Sequence, residues 1–142
     1  MPAPTPFDDF LAAYAAAVRT RDVAAFLALY DPALRVFDMW QAAPLEGLSP
    51  WRAMAEGWFG GLGEETVVVT WRQAHAQVEG DLATGHAILT FAAHAPDGQV
   101  LRQLDNRLSV AMRRGPGGWR VFHEHTSAPI AHEGLQAILQ LP

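Results

Sequence analysis

The sequence predicts an α+β domain in which about three N-terminal helices cover a long, curved antiparallel sheet. Up to Gly61, apolar residues recur at helical spacing; from Glu65 onward, β-branched runs alternate with tight turn signals. The runs are long enough that twist and bulges must bend the sheet into a concave surface, where a ligand would sit. With 142 residues, half of them hydrophobic, the chain reads as one domain over 1–142, able to bury a core without disulfides or metals.

Each element has its own signal. Phe7, Phe10, Leu11, Tyr14 and Val18 define the buried stripe of a first helix, with Pro6 suited to its first turn and Asp8 and Asp9 at its positive end. Asp22 caps a second helix with apolar face Val23, Phe26, Leu27 and Tyr30, and Asp31-Pro32 ends it, because the residue before proline resists helical geometry. A short strand is expected from about Leu34 to Trp40, and QAAPLEGLSP reads as loop. Ser49-Pro50 opens a third helix with Trp51, Met54, Ala55 and Trp58 on one face, and Gly60-Gly61 stops it. Four strands at roughly 66–78, 83–94, 99–113 and 119–127 follow one another as hairpins. Leu135, Ile138 and Leu139 give the tail from Ile130 to Leu141 a weak helical pattern.

Composition removes several chemistries. There is no cysteine, hence no thiol nucleophile, disulfide or thiolate metal site, and all ten basic residues are Arg, so no lysine is present to form a Schiff base. The net charge of −5 and the scattered Arg argue against a nucleic-acid surface. A small hydrophobic or weakly anionic ligand fits better. The start MPAPTPFDDF has no basic region followed by an apolar run, and no apolar stretch approaches a membrane span, so a cytoplasmic protein without membrane contact is expected.

Three helices, a short strand and a four-stranded meander resemble the nuclear transport factor 2-like superfamily, which includes ketosteroid isomerase, SnoaL-like cyclases and the kinase II association domain. The most specific part is GGWRVFHEHTSAP preceded by DNRLSVAMRR, similar to the SnoaL-like and association-domain pattern of an Arg and a Ser or Thr on one strand, then Trp, two His and Ser on the next. RDVAAFLALYDPALRVFD is similar to the family's second helix and first strand. The resemblance implies a cone-shaped domain, a pocket between sheet and helices, and a homodimer formed through the outer sheet face. It implies no single activity, since the fold serves enzymes, binding proteins and oligomerisation modules.

Asp38 is the first candidate for chemistry: it lies between Phe37 and Met39 in an apolar strand, where desolvation raises a carboxyl toward a useful base. Its place matches the general base of the ketosteroid isomerases, and Tyr14 matches the tyrosine that hydrogen-bonds a developing enolate. The third isomerase position, a protonated acid on a later strand, has no counterpart among Leu108, Ser109 and Val110. The alternative is that Asp38 accepts backbone hydrogen bonds at a strand end while Tyr14 packs in the core.

His123 and His125 alternate with Glu124, so strict alternation puts both imidazoles on one face with Val121 and Ser127; Asp105 and Arg107 share a face on the preceding strand. If these faces look inward, the four residues converge on the pocket floor to orient a carbonyl or carboxylate; otherwise they satisfy one another as a buried polar network. His-x-His on a strand is also a metal-ligand geometry, with Asp105, His75 or His86 as a third ligand, but no third and fourth ligand are fixed by spacing and no metal or cofactor is expected. Trp40, Trp51, Trp58 and Trp71 are candidates to wall the pocket, Trp40 and Trp58 foremost, whereas Trp119 is assigned to packing. Ser127 has no nucleophile-elbow context, which argues against a hydrolase triad.

The leading expectation is an isomerase, cyclase or dehydratase acting on a small hydrophobic carbonyl compound by proton abstraction. Asp38 is the base, Tyr14 the donor, and Trp40, Trp58, Asp105, Arg107, His123 and His125 the substrate contacts. The rival is a non-catalytic small-molecule-binding or dimerisation module of the same fold.

Overall fold

A computed structural model describes residues 2–142; Met1 lies outside the described residues. The elements run α1 (Pro6–Thr20), α2 (Val23–Leu27), β1 (Tyr30–Phe37), β2 (Leu45–Glu46), α3 (Leu48–Gly60), β3 (Thr66–Glu79), β4 (Leu82–His94), β5 (Val100–Gly115) and β6 (Gly118–Ser127). Thr5 caps α1 in a reciprocal box with Asp8, and the Asp22 carboxylate accepts the Ala25 N–H at the start of α2. A glycine at positive φ in each of the three turns, Gly80, Gly98 and Gly118, lets β3 to β6 meander in sequence order.

The sheet order is β2-β1-β6-β5-β4-β3. The all-antiparallel expectation needs one correction: β1 runs parallel to β6, with Phe37 opposite His125 and Arg35 opposite His123. Parallel neighbours need a long crossover, and here the connection runs from β2 through β5, more than half of the chain. The first strand begins and ends earlier than expected, at Tyr30 and Phe37, and a two-residue strand, β2, forms inside the expected loop by pairing with Arg35 and Val36. The tail forms no helix. It lies along β5 beyond the end of β6, where the Leu139 carbonyl accepts the Asp105 N–H and the Leu141 N–H donates to the Asp105 carboxylate. Gly134 is among the costs that make a helix unfavourable there.

Three bulges shape the antiparallel pairings of the sheet. On β3 the extra residue falls at Gln73-Ala74, with Gln73 at φ +54, opposite Ala87 of β4. Another separates Ala93 from His94 in the pairing of β4 with β5. The third lies on β6, where Val121 pairs with Met112 and His123 with Ala111, leaving Phe122 unpaired. An extra residue reverses which face the following side chains take, the effect that decides the site below.

The core lies between the helices and one sheet face, and is aromatic: Phe7, Phe10, Tyr14, Phe26, Tyr30, Trp51 and Phe59 are all buried. Close approach of α1 to β4 requires Gly85, because a Cβ there would overlap the Phe7 ring.

Candidate functional site

Past the packed end of this core the helices and sheet diverge, leaving a cavity of about 440 Å³. Its walls are largely aromatic and aliphatic: Trp40, Trp51, Met54, Trp58, Leu62, Val67 and Phe91. Such a surface favours a flat or hydrophobic molecule, with orientation left to a few polar groups. Those groups are Tyr14 from α1, Asp38 just after β1, Asn106 from β5, and Glu124 and Thr126 from β6. Arg102 and Gln103 stand at the rim, where Arg102 makes a double hydrogen bond to Glu65.

Asp38 is half-buried in the turn that follows β1. One of its oxygens accepts the Trp40 N–H at 3.2 Å, and the other faces the Thr126 hydroxyl at 3.4 Å, which itself accepts the Met39 N–H at 2.9 Å. Burial raises the Asp38 pKa, while the Trp40 and Thr126 hydrogen bonds oppose the rise. The strand-end hydrogen bond and the cavity position therefore belong to the same side chain. Tyr14 is seated among Phe10, Phe26 and Phe91, at centroid distances of 5.7, 5.5 and 6.4 Å. Burial, then the nearby Glu124 and Asp38, push its phenol well above the ordinary range, so it stays protonated and available as a donor.

Glu124 is the residue that alternation misassigned. Only 2% exposed, it accepts the Tyr30 hydroxyl at 2.7 Å. Burial lifts its pKa to about 7 against the opposing Tyr30 hydrogen bond, and the Asp38 charge adds to the rise. Asn106 is also buried; its Nδ2 contacts the Met39 sulfur at 3.5 Å and its Oδ1 has no hydrogen-bond partner. The other buried unpartnered side-chain atom among the described residues is the Trp51 indole nitrogen, on a ring 5.6 Å from that of Tyr30. Unpaired polar atoms beside a cavity are groups a ligand can satisfy.

Four expected substrate contacts lie on the other face of the sheet. His123 and His125 flank the half-exposed Phe37 ring, at centroid distances of 5.5 and 5.4 Å, and His123 Nδ1 is 2.9 Å from the Arg35 carbonyl oxygen. Arg107 donates to the Ser127 hydroxyl at 3.1 Å. Asp105 joins Thr90, Arg72 and the tail; burial works to raise its pKa, but hydrogen bonds from the Leu141 N–H, the Thr90 hydroxyl and Arg72 hold it below the ordinary carboxyl range. The physical reason for the correction is the Phe122 bulge on β6, which turns Glu124 and Thr126 inward and the histidines outward, while on β5 the inward phase belongs to Asn106 and Leu108. Of the tryptophans, Trp40, Trp51 and Trp58 line the cavity and Trp71 does not. Trp40, at 65% exposure, stands at the mouth. His75 and His86 face each other across β3 and β4 at 5.3 Å between rings, and among the described residues no group of three His, Asp or Glu is placed to hold a metal. No helix among the described residues is long and apolar enough to cross a membrane.

Comparison with known proteins gives a match to the family model described as SnoaL-like domain over residues 8–131. Among solved structures, the chain is similar to a nuclear transport factor 2-like protein of unknown function from Pseudomonas putida, with a TM-score of 0.82 and 29% identity over 96% of this chain and 93% of that one. It also superimposes on Aln2 from a Streptomyces species, with a TM-score of 0.75 and 14% identity over 89% and 93% of the two chains. A nuclear transport factor 2-like protein with a cystatin-like fold from Novosphingobium aromaticivorans gives 0.74, at 19% identity over 91% and 81%. No curated protein matches.

Proposed function

This chain belongs to the SnoaL-like domain family, and we propose that it acts on a small hydrophobic carbonyl compound by taking a proton from the carbon next to the carbonyl. The observation that carries the reading is the convergence of a desolvated carboxylate, Asp38, and a buried phenol, Tyr14, on one apolar cavity. Desolvation strengthens Asp38 as a base toward the range useful near neutral pH. Tyr14 supplies a neutral O–H for the oxygen on which enolate charge develops, and a dry site makes that hydrogen bond worth more than in water. The tryptophan walls hold the apolar body of the substrate, and Trp40 at the mouth limits water entry.

Replacing Asp38 by Asn tests this. With benzylacetone and tetralone as probes in D2O, the protein should catalyse exchange of the protons next to the carbonyl. The Asp38→Asn variant should lose about 100-fold or more of that rate while keeping its melting temperature. Binding of the ketones without exchange would instead favour the non-catalytic module, and a large loss of stability in Asp38→Asn would assign the carboxylate to the turn it braces.

A further inference from the structure

The base reading leaves Glu124 unused, yet it is the most buried ionisable side chain on the cavity wall. Among the described residues none of the ion pairs includes it. An ionised carboxylate enclosed without a cation is strongly disfavoured, so the side chain carries its proton instead. Tyr30 fixes where that proton sits: its hydroxyl donates to Oε1, leaving Oε2 to hold the hydrogen. Tyr30 cannot turn away, since its ring is wedged between Phe10, Phe26 and Trp51 at 6.0, 5.3 and 5.6 Å. Asp38 differs in each respect: it is only half-buried, and the Trp40 N–H and Thr126 hydroxyl support its negative charge. Two carboxyls held in opposite protonation states in one cavity are an acid and a base ready to work together.

From this arrangement we infer that Glu124 is a proton donor to the substrate, and that the substrate is a β-hydroxy carbonyl compound from which Asp38 and Glu124 together eliminate water. The inference rests on the reading of Asp38 as the base. A double-bond shift needs only a carboxylate that takes a proton from one carbon and returns it to another; loss of a hydroxyl needs a proton delivered to the departing oxygen, because hydroxide is a poor leaving group. Asp38 removes the proton on the carbon next to the carbonyl, and the freed electron pair forms the new carbon–carbon double bond. The bond from the β carbon to oxygen breaks, its electrons stay on that oxygen, and the Glu124 proton converts it to water. Asp38 ends protonated and Glu124 ionised, and return of the proton between them within the cavity restores the starting state. Tyr14 holds the carbonyl oxygen throughout, and Tyr30 is a positioning residue that keeps Oε2 toward the substrate.

The aldol adduct of benzaldehyde and acetone tests the proposal. Its dehydration product, benzalacetone, is read by near-ultraviolet absorbance, while benzylacetone, the same skeleton without the hydroxyl, reports proton exchange alone. Wild-type protein should catalyse both reactions and Asp38→Asn neither. Glu124→Gln should lose about 100-fold of the elimination rate, at least about tenfold beyond any loss of exchange. Equal losses in the two assays, or a wild type that exchanges without eliminating, would overturn the role of Glu124 and leave the base reading standing; a wild type that does neither overturns both. Should Glu124→Gln fail to fold, carbon-13 NMR of the wild-type glutamate carboxyls decides: Glu124 should be protonated at about pH 6, and a carboxylate signal there refutes the proposal.

Discussion

Glu124 links the cavity to the stability of the fold. Its pKa rises from 4.5 to about 7 on folding, so between those values the folded state holds a proton that the unfolded state lacks. Stability must then fall as pH climbs through that window, by on the order of 3 kcal/mol, and level off above it. Asp38 is shifted in the same direction and adds to the trend. Urea midpoints measured across this range should decline for the wild type and flatten markedly for Glu124→Gln; parallel curves would mean that the carboxyl is ionised in the folded protein. At this scale the sequence was partly legible. Asp38 stood out because a lone carboxyl between Phe37 and Met39 is hard to explain as surface, and Tyr14 because it falls on the apolar stripe of α1. Glu124 did not, because its inward orientation depends on an irregularity two residues upstream.

That irregularity belongs to the element scale. Helices α1 and α3 and the four long strands were readable because caps, glycine turns and periodicity are local signals. The face each strand presents was not, wherever an extra residue intervenes. In β6 the only trace of the bulge is the adjacent apolar pair Val121-Phe122, where strict alternation would place a polar residue second. The pairing of β1 with β6 has no local signature, since its partners lie about ninety residues apart. The packing of α1 on β4 gives a sharper test. Adding a Cβ at Gly85 must displace the Phe7 ring from a site where it is fully buried. Gly85→Ala should therefore cost about 1–3 kcal/mol in denaturant unfolding. In a Phe7→Leu background, where the ring is gone, the same substitution should cost distinctly less.

Across the whole molecule, the sheet has two borders, and they are finished differently. On one side β2, only two residues long, covers the upper part of β1. The other border is β3, fourteen residues with no strand beyond it. A long, straight border of unpaired amides recruits strands from neighbouring molecules, and the left-handed Gln73 with its bulge breaks that border near its middle. Removing Gln73 would leave Arg72 opposite Ile88 and His75 opposite His86, so the fold should survive the deletion. What changes is colloidal behaviour: the shortened protein should scatter light on mild warming at concentrations where the parent stays clear. One residue that contributes nothing to the cavity would then set how crowded a solution this protein tolerates.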